Sequence, residues 1–359
     1  MEDSVRTAIG AVVDPQFGRT LDELDAITEL TLKGGVAQVT IALADPHYPY
    51  EERLRAAIDE AAGTVEGVDS AQVRYQILDD DAADALMSRL RPEKKPAGGP
   101  GSRTRVITVT SGKGGVGKSS VAANLAVTLA GRGRSVGLID ADVYGFSIPR
   151  MLGVLTPPAI VGGSLIAPQG YGVRVMSMDY FVQPDQAVIW RGPMLHKALE
   201  QFLTDVFWDE PEYLLIDTPP GTGDVAISLS QFLPRAEVLV VTTPQPTAQR
   251  VAKKAALMAE KVNQDVIGVV ENMSWFTGDD GTRYPLFGNG GGAQLAEELN
   301  VPLMGQIPLV PAMRVGADQG IPVAVAAPDS EATKAFDEFA AALEATAPRV
   351  RTHPELIIK

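Results

Sequence analysis

The chain contains no cysteine among its 359 residues. Disulfides and thiolate metal sites are therefore excluded, although the redox compartment is not fixed by that absence alone. Positive charge is also scarce: 31 Lys and Arg face 45 Asp and Glu, giving a formal net charge of −14. Nucleic-acid affinity rests on phosphate neutralisation, so broad nucleic-acid binding is disfavoured, while a local basic patch stays open. No apolar run reaches 18 residues, and the opening MEDSVRTAIG has neither a basic flank nor an apolar core. Membrane spanning and export are thus disfavoured and the cytoplasm is the expected compartment. Histidine is limited to His47, His196 and His353, which are scattered. The 45% of hydrophobic residues is nonetheless ample for a sizeable core, and the length suggests two or three domain-sized units.

Glycine is concentrated where it carries information. Residues 110–120 read TSGKGGVGKSS, and Gly112, Gly117, Lys118 and Ser119 fit G-x-x-x-x-G-K-[ST]. In such a loop consecutive backbone N–H groups turn around an anion, and side chains would obstruct them. The β-branched run RVITVT precedes it, and SVAANLAVTLAGR follows with apolar residues at helical spacing. The nucleotide-contacting residues are expected to be Gly112, Lys113, Gly114, Gly115, Val116, Gly117, Lys118, Ser119 and Ser120. Lys118 should reach the β- and γ-phosphates of ATP, and Ser119 should offer its hydroxyl to Mg²⁺, a hard cation suited to oxygen ligands.

A metal–nucleotide site also needs carboxylates. The apolar run LLID ends in Asp217, at the carboxyl end of a predicted buried strand, where open α/β sheets bind ligands. PPGTGD beyond it resembles a segment that senses the γ-phosphate. SVGLIDADVYGFSIPR runs a second strand into Asp140 and Asp142. Asp140 is expected to support the Mg²⁺ shell with Ser119 and Asp217, and Asp142 to orient or deprotonate the attacking water; a solvated turn is the plainer alternative.

Lys113 exceeds the needs of the minimal loop. In KGGVGKS it resembles the signature lysine of the deviant Walker A ATPases, which reaches the nucleotide of a partner subunit and so implies a homodimer. With LIDADVYGFSIPRMLG, WRGPMLHKALEQFL, YLLIDTPPGTGD, VVENMSWF and GQIPLVPAMR, the loop makes the chain similar to the Mrp/ApbC-type P-loop ATPases over nearly its whole length. That resemblance implies Mg²⁺-dependent ATP hydrolysis and the binding and transfer of iron–sulfur clusters to apoproteins, with assembly factors as further partners. It matches Asn272 to the adenine-binding asparagine of related ATPases; strand-end capping is the alternative reading.

One block departs from the family. Where members carry C-x-x-C after ENMSxF, this chain reads TGDDG, with Gly278 and Gly281 at the aligned positions and Asp279 and Asp280 between them. Iron–sulfur clusters take thiolates, with histidine a recognised substitute in some centres, so a cluster held by this chain alone is not expected. The GDDG run reads more simply as a hairpin turn.

The fold expected is α/β: a P-loop NTPase parallel sheet with helices on both faces over 105–348, preceded by a small α+β domain over 1–90. Its strands fall near 105, 135, 213, 238 and 266, and its helices near 119, 194, 247 and 330. RPEKKPAGGPGSR marks a flexible linker over 91–104, and 349–359 reads as a C-terminal tail. The small domain resembles one that recurs in iron–sulfur assembly factors; its Asp14 and Glu23 are candidates to touch a partner, with a turn start before Pro15 the plainer reading of Asp14. Two other functions remain open: a positioning ATPase of the ParA/MinD kind, and an ATP-dependent interaction switch that carries no metal.

Overall fold

Four apolar runs form the middle of one sheet. In the computed structural model, which describes residues 1–346 apart from 92, 94, 100, 144, 183–191 and 222–223, strands Val136–Asp140, Tyr213–Asp217 and Glu237–Thr242 are buried at every position. Arg105–Ser111 is buried at five of seven. Such uninterrupted burial is what a parallel sheet covered on both faces demands. The described residues give eight strands in the order Leu303–Ile307, Asp265–Asn272, Glu237–Thr242, Arg105–Ser111, Tyr213–Asp217, Val136–Asp140, Val173–Ser177 and Gln169–Gly170. Tyr213–Asp217 lies between its two parallel neighbours, with Leu215 level with both Ile107 and Leu138.

Alternate residues of each strand feed opposite layers. Leu239 and Val241 join helices Lys118–Gly131 and Glu331–Ala345, including Phe336 and Phe339, in one core. Val238 and Val240 pack with Ala252, Ala256 and Ala259 of helix Pro246–Lys261 in another. The chain passes from Arg105–Ser111 outward to Val136–Asp140 and Val173–Ser177, returns between Arg105–Ser111 and Val136–Asp140 as Tyr213–Asp217, and then builds the other half. Strand order therefore reverses beside Arg105–Ser111, and the crevice above such a reversal is where open α/β sheets hold ligands.

The first compact unit has a three-stranded sheet in which Val36–Leu43 pairs antiparallel with Ile27–Lys33 and parallel with Ser70–Ile77. Ile9 of helix Glu2–Gly10 and Leu54 and Ile58 of helix Glu51–Gly63 share a core with Val39 and Ile41. A third helix, Asp80–Leu90, was not foreseen; Asp79 caps it by accepting from the Ala82 amide at 2.8 Å. Its signal was the DDDAA run, three acids leading into alanine.

Two boundaries need correcting. The unit comprising Met1–Lys95 also includes Thr156–Gln169 and Thr204–Asp209, so the stretch expected as one ATPase domain over 105–348 is interrupted. The reason is local pairing: Leu165 bridges Val206, and the Phe207 ring lies 6.2 Å from that of Phe17. The linker predicted over 91–104 is shorter than expected, because Pro96 onward belongs to the second unit and the Ala97 amide bonds the Leu203 carbonyl at 2.9 Å. Lys94, Trp190, Arg191, Thr222, Gly223, His353 and the 349–359 tail lie outside the described residues. Among the described residues no helix is long and apolar enough to cross a membrane.

Candidate functional site

The phosphate loop is seated by a contact that only glycine allows. A Cβ on Gly112 would stand 2.1 Å from the carbonyl carbon of Val251 and 2.3 Å from the Ala252 nitrogen, both backbone atoms of helix Pro246–Lys261. We expect Gly112→Ala to cost about 1–3 kcal/mol of overpacking, which, falling on the loop, weakens ATP binding roughly tenfold or more. Titration with a fluorescent ATP analogue measures this; unchanged affinity would mean that the helix does not set the loop.

Residues 113–120, with Asp142, Gly145, Ser147 and Pro220, line a cleft of about 250 Å³ at the carboxyl ends of the central strands. Gly117 caps helix Lys118–Gly131 in a left-handed conformation, φ 78°, so the positive end of that helix faces the cleft. Its first two residues converge on one carboxylate. The Lys118 ammonium pairs with Asp217 Oδ1, and Ser119 Oγ donates to Asp217 Oδ2 at 2.6 Å. Lys118 is 6% exposed and Asp217 wholly buried.

Three acids share this neighbourhood with that single buried cation. Burial pushes the Asp217 carboxyl up, against the pull of Lys118 and Ser119. Asp140, also fully buried, is pushed up to about 7 by desolvation and by the charge of Asp217, despite accepting from the amides of Ile148 (3.1 Å), Ser147 (3.0 Å) and Asp142 (3.2 Å). Asp140 thus accepts from three amides of the residues that follow it and does not line the cleft. Asp142, which does line it, accepts from the Gly145 amide at 3.0 Å.

Asn272 ends its strand 3% exposed and donates from Nδ2 to the Val116 carbonyl at 2.8 Å. In this state it buttresses the phosphate loop and does not line the cleft. Lys113 extends along the cleft wall, its Nζ 3.4 Å from Gln245 Oε1, while its own carbonyl accepts from Ser111 Oγ at 3.0 Å. Gln245 and the cleft residues Gly145, Ser147 and Pro220 escaped the sequence reading. Gly145 and Ser147 lay within SVGLIDADVYGFSIPR and Pro220 within PPGTGD, blocks singled out for their acids and not for these residues.

A model of the NUBPL iron-transfer P-loop NTPase family matches residues 102–344. The chain belongs to this family. A model described as iron-sulfur cluster assembly protein matches residues 2–74 of the same NTPase. Among its relatives, the iron-sulfur cluster carrier protein of Mycobacterium tuberculosis is 43% identical over 94% of this chain and 91% of its own. That of Bacillus subtilis is 42% identical over 86% and 88%. Among solved structures, the nucleotide-binding protein of Archaeoglobus fulgidus in complex with ADP superposes with a TM-score of 0.55 at 35% identity, over 65% of this chain and 91% of its own. The cell division ATPase MinD of Pyrococcus furiosus gives 0.51 at 28%, over 67% and 98%.

In this NTPase the GDDG segment is a tight hairpin, Phe276–Thr277 paired antiparallel with Arg283–Tyr284. Asp280 is taken up by the turn: it accepts from the Thr282 amide (2.9 Å), Thr282 Oγ1 (2.8 Å) and the Tyr284 hydroxyl (3.1 Å), which hold its carboxyl below the usual range. The Arg283 guanidinium lies 4.2 Å over the Trp275 ring, whose Nε1 donates to Glu331 at 3.1 Å. Among the described residues no group of three or more His, Asp or Glu side chains could hold a metal ion by itself.

In the first unit, Asp14 and Glu23 serve turns. Asp14 Oδ1 accepts from the amides of Gln16 and Phe17, both at 2.8 Å, and Oδ2 from the Tyr48 hydroxyl at 2.8 Å. Glu23 accepts from the Thr20 amide at 2.8 Å and from Arg19 at 3.1 Å.

Proposed function

We propose that this NTPase is a Mg²⁺-dependent ATPase of the deviant Walker A kind, which turns over as a homodimer and drives the handover of iron–sulfur clusters to apoproteins. The observation that carries the reading is the Lys118–Asp217–Ser119 cluster at the mouth of the phosphate loop. Hard oxygen donors, Ser119 Oγ and Asp217 Oδ2, sit 2.6 Å apart beside a carboxylate pair, Asp140 and Asp217, that lacks enough positive charge. Mg²⁺ suits that donor set: Ser119 and Asp217 would hold it, directly or through its waters, and it would neutralise phosphate charge. Lys118 is then free to exchange Asp217 for the β- and γ-phosphates. Asp142 is the cleft carboxylate left to orient water, and Asn272 acts by holding the loop.

The cargo assignment is supported by the relatives named iron-sulfur cluster carrier protein, which exceed the MinD likeness in identity. The cluster is a substrate here, and the missing thiolates argue that a partner supplies ligands. The test is anaerobic purification of the chain, alone and with its native partners, followed by iron and sulfide analysis. Cluster in the partnered sample only is the expected result; cluster in neither would remove the carrier reading.

Restoring cysteines should not rescue binding by the chain alone. A Cβ on Gly278 would meet the Tyr284 ring at 2.8 Å and Asp280 Oδ1 at 2.9 Å, and Gly281 has φ 76°, a conformation costly for a side chain. We expect the Gly278→Cys, Gly281→Cys double variant to lose about 2–4 kcal/mol by urea unfolding, from two such strains of about 1–3 kcal/mol each that partly relax. It should take up no stoichiometric cluster in reconstitution followed by visible absorbance. Unchanged stability would mean that the hairpin yields easily.

A further inference from the structure

Lys113 is held at rest by a residue with no other evident task. Gln245 is the N-cap of helix Pro246–Lys261, yet its side chain caps no amide of that helix. Its Oε1 accepts instead from Lys113 Nζ at 3.4 Å and from Thr243 Oγ1 at 3.2 Å. Since an ammonium only donates, the amide oxygen must face it. Position follows from the loop: Gly112 rests on the backbone of that helix, so the next side chain falls beside the helix start.

The holding is weak by construction. At 3.4 Å the bond from the ammonium to a neutral amide oxygen is long and lacks the attraction of an ion pair, and the positive end of a helix is an unfavourable place for an ammonium. Among the described residues no carboxylate pairs with Lys113. We infer that Gln245 is a positioning residue that parks Lys113 beside its own cleft, and that its neutrality keeps the lysine releasable towards the phosphates of a second copy of this chain. This rests on the homodimeric reading above. A carboxylate at 245 would turn the contact into an ion pair and retain the lysine; an apolar side chain would release it.

The test uses the full chain and steady-state phosphate release with saturating MgATP. Gln245→Glu should lower kcat about tenfold, the added attraction of an ion pair over an ammonium–amide bond, and raising the salt should recover part of the loss. Gln245→Met should raise turnover a few-fold at limiting protein concentration, where release of Lys113 governs assembly. In a Lys113→Ala background both substitutions should be silent in kcat, an outcome that a merely structural role for Gln245 would not give. Wild-type kcat and salt response in Gln245→Glu, or equal effects with and without Lys113, would overturn the inference. If Lys113→Ala itself keeps full turnover, the homodimeric reading fails instead, whatever the 245 variants do.

Discussion

Lys113→Ala should bind ATP within about twofold of the parent and lose about 10³-fold or more in turnover, the scale on which a cation supplied from outside a site acts in phosphoryl transfer. Binding should survive because Lys118, Ser119 and the loop amides remain, whereas the Lys113 ammonium at the cleft wall bonds Gln245. Its absence is felt only when charge develops on the transferred phosphoryl group. The arrangement in trans has a sharper consequence. Asp142→Asn should also be inactive, because it removes the cleft carboxylate to which the proposed mechanism gives the orienting of water. Mixing the two inactive variants should restore about a quarter of parental activity: half of the randomly exchanged dimers are mixed, and one of the two sites in each has both groups intact. Phosphate release from the mixture, against each variant alone, decides the matter. No recovery would place Lys113 in its own subunit's site.

The parts of this site that were legible in the sequence are those whose chemistry is local. TSGKGGVGKSS and its flanks state strand, loop and helix in consecutive residues, and the acids that close LLID and GLID end apolar runs at positions a parallel sheet brings side by side. The parts that were not legible depend on contacts distant in sequence. Nothing near Asn272 says that its amide will lie 2.8 Å from the Val116 carbonyl, 156 residues away. Gln245 carried no signal of its own in the sequence, and its value depends on Gly112 bringing Lys113 beside it. Asp140, expected to support the Mg²⁺ shell, also accepts from three amides of the residues that follow it, bonds that no local pattern announced. Strand Val173–Ser177 and the segments that join the first unit were missed because short strands with edge partners carry little periodicity. The empty thiol position read correctly as a turn, since Gly and Asp at GDDG have a conformational reason to be there that does not involve metal.

Lys118→Met is expected to fail twice, in folding and in binding. In the resting chain its ammonium is the counter-ion of the wholly buried Asp217, whose charge also pushes Asp140 up. Removing one member of a buried pair typically costs about 3–5 kcal/mol, because the other charge is left uncompensated. The deficit should depend on pH in a defined direction. With Lys118 gone, the folded-state pKa of Asp217, already raised by burial, rises further. An acid whose folded pKa exceeds its unfolded value binds the proton more tightly when folded, so its penalty is absent below the unfolded value of 3.8, grows as pH rises, and is complete above the folded pKa. Urea unfolding should therefore show a larger loss relative to the parent at pH 8 than at pH 5.5. Adding Asp217→Asn should recover most of that stability at pH 8, because the uncompensated charge is gone, while leaving ATP binding lost. If stability were instead unchanged by Lys118→Met, the pair would be solvated and the acids would already be satisfied without a cation. If ATP binding returned with Asp217→Asn, the loop amides alone would hold the phosphates, and Lys118 would serve the fold more than the nucleotide.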